Sequence, residues 1–335
     1  MQFENVIIKS IGRYIPEKVV KNEFFVEHFS KPEWGSLRVD GLLRKLGRDE
    51  RHFCELGESS LTMAIESSKD ALNKSNIDAK DIDMIVFASD TPEYLTPTNA
   101  ILVSKALKAN NANVVFDLNS NCAGMVVALD LVTTYMKMHK NIKRAILVGS
   151  LHSSSIVRYS DSVTYTNFGD ASTALVLEKV QSNSGVVDSR FKADNSYSGL
   201  AKYPACGNSE ALLKTQDKHY RRLEWNPFDS SFFSDMFIEA ISSLMKENNL
   251  TDSDIAYYAF SQLSNAQNIE TLTRLGASID ERYLYNGDKF GYTGTNSPFL
   301  ALSDVWDDID KYKGKYVIII TIGAGVNMCA ILYKV

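Results

Sequence analysis

Residues 76–89 read NIDAKDIDMIVFAS, and residues 249–262 read NLTDSDIAYYAFSQ. Both stretches carry an Asp-Ile pair followed by a short apolar run, which is typical of a strand buried on both faces of a parallel sheet. Each run follows a helical apolar pattern, formed by Leu61, Ala64, Ile65, Ala71 and Leu72 in the first copy and by Phe237, Ile238, Ile241 and Leu244 in the second. The sequence therefore predicts one α/β unit that occurs twice.

Nearly the same offset relates two further pairs of segments. Residues 145–148, AILV, correspond to residues 317–320, VIII, and a helix starting at Cys122 corresponds to one starting near Asn296. We expect two halves, residues 1–180 and 181–335, joined at VQSNSG, which reads as a linker.

The composition is that of a globular protein, with 335 residues, 44% of them hydrophobic, and a net charge of -5. No broad basic field is present, so we expect no nucleic-acid partner. The four cysteines form no CxxC pair, which predicts neither a metal site nor a disulfide framework and fits the reducing cytoplasm. The N-terminus lacks the apolar core of a signal peptide. The apolar stretch 316–332 is interrupted at Gly323-Ala324-Gly325, so we expect no membrane span.

The chemical centre of the sequence is Cys122. A strand at 113–117 is followed by LNSN and then by the helical pattern CAGMVVALDLVTTYMKM, in which Ala123, Val126, Val127 and Leu131 are expected to face inward. Cys122 is thereby predicted at a strand-to-helix corner, where free N–H groups and the helix dipole favour the thiolate form. A thiolate attacks a thioester carbonyl. The alternative is a buried structural cysteine, because free cysteines are commonly buried.

Several segments together resemble the ketoacyl-ACP synthase III (FabH-like) branch of the thiolase superfamily across almost the whole chain. They are NCAGMVVALDL around Cys122, LGRDERHF (46–53), NFGDASTALVL (167–177), FGYTGTNSPFLAL (290–302) and IGAGVNMCAIL (322–332). The resemblance implies a five-layered αβαβα sandwich. It also implies an acyltransferase whose cysteine accepts an acyl group from a coenzyme A or phosphopantetheine thioester, with no tightly bound cofactor. The implied partners are acyl-CoA or an acyl carrier protein, and the implied assembly is a homodimer, or a heterodimer with a homologue.

Two of the three catalytic groups implied by the family are replaced. The family's His falls on Ser261 and its Asn falls on Tyr292. In the family these groups decarboxylate malonyl-ACP, and removal of one preorganised donor typically costs roughly 10²–10³ in rate. Ser cannot act as a base near neutral pH. Acyl capture needs only the nucleophile and an oxyanion hole, for which the resemblance offers the backbone N–H groups of Cys122 and Ala324.

The family's contacts to coenzyme A are also altered. One arginine falls on Lys45, a second falls on Ala266, and a third falls on Ser162, although Arg158 lies nearby. Ala cannot replace an Arg that holds two phosphate contacts, so an acyl carrier protein fits as donor at least as well as acyl-CoA.

Other polar residues are candidates to take the place of the family His. His152 follows the predicted strand AILVGS, at a position where loops often line the site, but a surface or capping role is the more common one. Asp90 and Glu93 lie after another strand end, and related branches place a base there; a loop carboxylate facing water is the safer expectation. Four aromatic residues are candidates for an acyl tunnel, with core packing as the alternative: Tyr165, Phe168, Phe290 and Phe299.

The sequence therefore predicts a thioester-dependent acyltransferase that forms acyl-S-Cys122 and passes the acyl group to a carrier-bound or small acceptor without standard malonyl decarboxylation. Two alternatives remain open. One is an ordinary 3-oxoacyl-ACP synthase III, and the other is a catalytically inactive partner subunit of a heterodimeric synthase.

Overall fold

The structure is a computed structural model that describes residues 4–213 and 218–335. The strands are β1 (Glu4–Tyr14), β2 (Lys18–Lys21), β3 (Glu50–Phe53), β4 (Met84–Ala88), β5 (Val114–Leu118), β6 (Arg144–Leu151), β7 (Ala171–Gln181), β8 (Gly185–Ala193), β9 (Ala201–Lys202), β10 (Glu224–Trp225), β11 (Ile255–Phe260), β12 (Tyr283–Leu284), β13 (Tyr316–Gly323) and β14 (Asn327–Lys334). The helices are α1 (Asn22–Ser30), α2 (Asp40–Leu46), α3 (Ser60–Ser75), α4 (Asn99–Leu107), α5 (Gly124–Met138), α6 (Ser162–Asn167), α7 (Asn208–Ala211), α8 (Phe232–Glu247), α9 (Asn265–Leu275), α10 (Gly287–Phe290) and α11 (Ser297–Leu302).

The two large sheets repeat one topology. The first has the order β1-β7-β6-β4-β5, and the second has the order β8-β14-β13-β11-β12. In each sheet the first three strands are antiparallel neighbours, and the last three are parallel. Phe87 pairs with Val148 in the first sheet, and Phe260 pairs with Ile320 in the second. The duplicated α/β unit is therefore confirmed down to its strand register.

Five layers result from helices packed on and between these sheets. Helix α5 contacts strands of both sheets, as does α11, so these two helices form the central layer. Helices α3 and α4 cover the outer face of the first sheet, and α8 and α9 cover the outer face of the second. The predicted αβαβα architecture is confirmed. Along the chain, the last strand of the first sheet ends at Gln181 and the first strand of the second sheet begins at Gly185. The division into halves at residues 180 and 181 stays a prediction.

Details of the central helix differ from the sequence prediction. Helix α5 begins at Gly124 with Ala123 as its N-cap, so Cys122 precedes the helix instead of starting it. Ala123 and Val126 are buried, but Leu131 is 49% exposed and does not face inward. The inward stripe of α5 instead includes Met125, Leu129 and Val132. In the described part of the chain, no helix combines the length and apolarity that a membrane crossing would need.

Helix α3 lies unusually close to β1 at Gly12. A Cβ atom on Gly12 would lie 2.2 Å from the backbone N of Ala71 and 2.3 Å from the backbone O of Ser67. Both neighbours are backbone atoms of a packed helix, so they cannot move aside as a flexible side chain would. This close approach fixes how the outer helix layer sits on the first sheet.

We expect Gly12→Ala to lower the free energy of unfolding by about 1–3 kcal/mol, because the added methyl group must push α3 away from the sheet. Chemical denaturation measures the change. Gly41→Ala is the matched control, since nothing lies within 4 Å of a Cβ atom there. Equal stability of the two variants would contradict the close packing of α3 on β1.

Candidate active site

Cys122 lies in a tight corner between β5 and α5. Asn121 adopts a left-handed conformation with φ 52°, and its backbone N–H donates to Asn119 Oδ1 at 2.9 Å. The N–H groups of Ala123 and Gly124 donate to the carbonyl groups of Ser120 and Asn121, respectively. The amides at the start of the helix are thus largely used within the corner itself.

The second half of the chain supplies further partners to this corner. Thr295 Oγ1 accepts the N–H of Met125 at 2.7 Å, and the Thr321 hydroxyl donates to the Cys122 carbonyl at 3.0 Å. Asn121 in turn donates through its side chain to the carbonyl of Ala324 at 2.9 Å. Cys122 is therefore held between the first-half corner and the turn that joins β13 to β14.

Three predicted site residues surround the sulfur. The phenol of Tyr292, which is fully buried, donates a hydrogen bond to Cys122 Sγ. The Ser261 hydroxyl donates to the Tyr292 oxygen at 3.5 Å, and the backbone N–H of Ala324 is directed at the sulfur together with that of Cys122. The structure thus brings Cys122, Tyr292, Ser261 and Ala324 together, while their catalytic roles stay predictions.

The thiol is less acidic than the sequence led us to expect. Burial, reinforced by the negative charge of Asp90, raises the pKa of Cys122 to about 12. The hydrogen bonds from Tyr292 and from the N–H groups of Cys122 and Ala324 lower it only in part. Because the first helical amides already have partners inside the corner, the expected thiolate stabilisation by the helix N-terminus is incomplete.

Two cavities meet at Cys122, which is half-buried. The larger one, of about 90 Å³, is lined by Asp90, Asn119, Asn121, Cys122, Leu151, Ile156, Phe168, Ala201, Tyr203, Leu223, Trp225 and Ala324. The smaller one, of about 20 Å³, is almost entirely apolar and is lined by Cys122, Leu200, Ala201, Trp225, Phe228, Phe233, Leu263, Tyr292, Ile322, Gly323, Ala324 and Val326. The sulfur is thus reachable from space that a substrate group can enter.

Asp90 carries the one carboxylate in the lining of either cavity. It follows β4, and its Oδ1 is buried without a hydrogen-bond partner among the described residues. Burial raises the pKa of this carboxyl to about 6. The expectation that the loop carboxylates face water is therefore wrong for Asp90, whereas Glu93 is exposed.

The remaining candidates lie away from the sulfur. Lys45 is exposed in the last turn of α2, and Arg158 is half-buried; neither lines a cavity at Cys122. His152 lines neither cavity at Cys122, and its ring lies within 4.8 Å of the ligand atoms of Cys54 and Asp170.

The cluster formed by Cys54, His152 and Asp170 is held together as local structure. The Asp170 carboxylate accepts hydrogen bonds from the Cys54 N–H, the Ser153 hydroxyl, and the N–H and hydroxyl of Ser154. A carboxylate whose oxygens are used in this way has little capacity left for a metal ion.

Of the four aromatic candidates, only Phe168 lines a cavity at Cys122, and its ring packs against that of Tyr292 at 5.2 Å. Phe299 is in the central core, Tyr165 packs among Phe25 and Phe53, and Phe290 lies beside His52. Core packing is the correct interpretation of Tyr165 and Phe299.

The sequence did not predict the cavity walls contributed by residues 200–203 and 223–228. Ala201, Tyr203, Leu223 and Trp225 lie in or beside the short strands β9 and β10. These two-residue strands give no periodic signal, and no motif marks them. The two Asn residues of LNSN signal the left-handed backbone of the Cys122 corner, because Asn tolerates that conformation, but they say nothing about these walls.

We expect the rate at which iodoacetamide alkylates Cys122 to rise about tenfold per pH unit between pH 7 and 9 without reaching a plateau, because the thiol pKa is about 12. Tyr292→Phe should slow the reaction several-fold by removing a donor to the thiolate, and Asp90→Asn should speed it by removing the opposing charge. Peptide mass mapping measures alkylation at Cys122, and Tyr165→Phe, a change outside the two cavities, is the control that should leave the rate unchanged. A plateau below pH 9 would contradict the raised pKa.

Known proteins share this fold and this sequence pattern. The family model of 3-Oxoacyl-[acyl-carrier-protein (ACP)] synthase III matches residues 116–195, and the model of its C-terminal region matches residues 245–335. A relative from Clostridium beijerinckii, named Beta-ketoacyl-[acyl-carrier-protein] synthase III, is 29% identical over 98% of this chain and 99% of its own. A relative of the same name from Rubrobacter xylanophilus is 29% identical over 97% of both chains.

Solved structures of similar proteins support the fold. The 3-oxoacyl-[acyl-carrier-protein] synthase III of Aquifex aeolicus superposes with a TM-score of 0.84 at 21% identity, covering 99% of this chain and 100% of that one. The corresponding protein of Pseudomonas aeruginosa gives a TM-score of 0.86 at 19% identity, covering 98% of both. The two family models together match just over half of the residues and include the Cys122 corner, so this chain belongs to the 3-oxoacyl-[acyl-carrier-protein] synthase III family and is an acyltransferase.

Proposed function

We propose that the protein takes an acyl group from a coenzyme A or acyl-carrier-protein thioester onto Cys122 and transfers it to a carrier-bound or small acceptor without decarboxylating malonate. The observation that supports this proposal is that hydrogen bonds reach the partly accessible Cys122 sulfur from two backbone N–H groups and from Tyr292, which in turn contacts Ser261. Ser261 and Tyr292 stand where the family resemblance implies a catalytic His and Asn, respectively.

The loading step needs only groups that the site contains. The Cys122 sulfur attacks the thioester carbonyl carbon, the carbon–sulfur bond to the donor breaks, and the donor leaves as a thiol that carries the proton given up by Cys122. The N–H groups of Cys122 and Ala324 are suited to stabilise the oxygen of the tetrahedral intermediate. In the second step the acceptor attacks the acyl carbon, the carbon–sulfur bond to Cys122 breaks, and the acceptor's proton ends on the Cys122 sulfur.

Malonyl decarboxylation lacks its usual support here. Burial raises the pKa of Tyr292 well above its ordinary value, so the phenol stays protonated and acts as a donor. Its hydrogen bond is directed to the Cys122 sulfur, and the Ser261 hydroxyl is directed to the phenol oxygen. Because each hydroxyl already has an acceptor within the site, the pair supports an enolate oxygen less well than two donors aimed into the cavity would.

A second candidate is an ordinary 3-oxoacyl-ACP synthase III that condenses acyl-CoA with malonyl-ACP. It is favoured by the names of the relatives, which match almost the full length of the chain. No observation favours the third possibility, an inactive partner subunit, and the open space beside Cys122 argues against it. Assembly as a homodimer or heterodimer stays a prediction.

Incubation with panels of acyl-CoA and acyl-ACP thioesters should add one acyl mass to the intact protein. We expect Cys122→Ala to abolish the adduct and Cys206→Ala, which removes a half-buried thiol outside the cavities, to leave it unchanged. Intact-mass spectrometry measures both. If no thioester modifies the wild-type protein, the acyltransferase mechanism is wrong, and the result favours an inactive partner subunit.

Acylated wild-type protein should leave malonyl-ACP unconsumed, with CO₂ release roughly 10²-fold or more below that of an enzyme with the family's His and Asn. The double variant Ser261→His/Tyr292→Asn should gain decarboxylation, because loss of the phenol ring makes room for the imidazole. Release of radioactive CO₂ from labelled malonyl-ACP measures the rate, with each single variant as a control. Rapid release by the wild-type protein would establish the ordinary synthase instead.

A further inference from the structure

The larger cavity at Cys122 is the space available to the transferring acyl group. A water molecule needs roughly 10–15 Å³ of such space, so a cavity of about 20 Å³ holds little more than one water, whereas about 90 Å³ holds a group of several heavy atoms. Of the two cavities, only the larger has room for an acyl group of several heavy atoms bonded to the sulfur.

That cavity has an uneven lining. Leu151, Ile156, Phe168 and Leu223 offer apolar contacts, as expected for the carbon chain of an acyl group. Asp90 lines the same cavity together with the uncharged polar residues Asn119, Asn121 and Tyr203, and no Lys, Arg or His is among the lining residues. The Asp90 carboxylate thus lines the larger cavity, and no cationic side chain lines that cavity with it.

The Asp90 carboxylate has a donor in its own backbone N–H, but one of its oxygens is left without a partner. Its Oδ1 is sealed from solvent and has no hydrogen-bond partner among the described residues. A buried charged group with unmet hydrogen-bonding capacity carries a large desolvation penalty. The free acceptor capacity in the cavity points to a ligand that brings its own donor.

We propose that the acyl group transferred by this protein is short and carries a hydrogen-bond donor, a hydroxyl or an ammonium group, which Asp90 binds in the larger cavity. This inference rests on the proposed function, because it concerns the acyl group that Cys122 accepts. Asp90 is then the residue that determines acyl specificity, and an unsubstituted acyl group of equal length leaves its carboxylate unpaired. Loss of a ligand donor opposite a buried polar group is a strong source of discrimination, up to about 10⁴-fold in favourable sites.

The test compares three N-acetylcysteamine thioesters that differ in one substituent: butyryl, 3-hydroxybutyryl and 3-aminobutyryl. The rate of adduct formation on Cys122, followed by intact mass at pH 7.5, should be at least tenfold higher for one of the substituted acyl groups than for butyryl. In Asp90→Leu the order should reverse in favour of butyryl. Asp90→Asn, which conserves the shape of the side chain, should abolish the preference for the ammonium group while keeping the fold, as checked by thermal unfolding.

The outcomes separate this inference from the proposed function. Efficient loading of butyryl by the wild-type protein, equal to that of both substituted groups, would overturn the inference and leave the acyltransferase standing. An unchanged loading preference in both Asp90 variants together with slower discharge to an acceptor would place Asp90 on the acceptor's side and would also overturn it. Absence of any adduct with any thioester would overturn the acyltransferase and the inference with it.

Discussion

The corner that presents Cys122 is completed by the other half of the chain. Thr295 accepts the N–H of Met125 at the start of α5, and Thr321 donates to the carbonyl of Cys122 itself. Without these partners, buried backbone groups at the corner would be left unsatisfied. The duplicated architecture is therefore a requirement of the site: two sheets must close on the central helices before the sulfur is held in place.

The ionisable side chains of Asp90, Cys122 and Tyr292 influence one another's protonation. The negative charge of Asp90 opposes ionisation of Cys122, whereas the phenol of Tyr292 and two N–H groups favour it. Burial raises the pKa of the Tyr292 phenol well above its ordinary value, so the phenol stays protonated and can donate to the sulfur. The raised pKa keeps Cys122 as a thiol near neutral pH, so in the proposed reaction charge would develop on the sulfur only as it attacks the substrate carbonyl.

Much of this could be predicted from the sequence, because the signals were long or repeated. The apolar runs ending at Phe87 and Phe260 predicted equivalent central strands, and the small residues after Cys122 predicted the corner. The raised pKa of Cys122 could not be predicted, since it depends on which amides the corner uses internally and on a carboxylate distant in sequence. Asp90 was visible as a candidate but not its direction, because a single loop residue has no periodicity that reveals the face it occupies.

The segment around β9 and β10 lines both cavities, yet its strands pair only with each other and belong to neither five-stranded sheet. Its side chains are therefore free of the alternation and register that constrain residues inside a ladder. Insertions or substitutions there reshape the space beside Cys122 at little expense to folding. Proteins with the same fold can therefore differ in the acyl group that they accept through changes in the segment around β9 and β10, while the two large sheets stay the same.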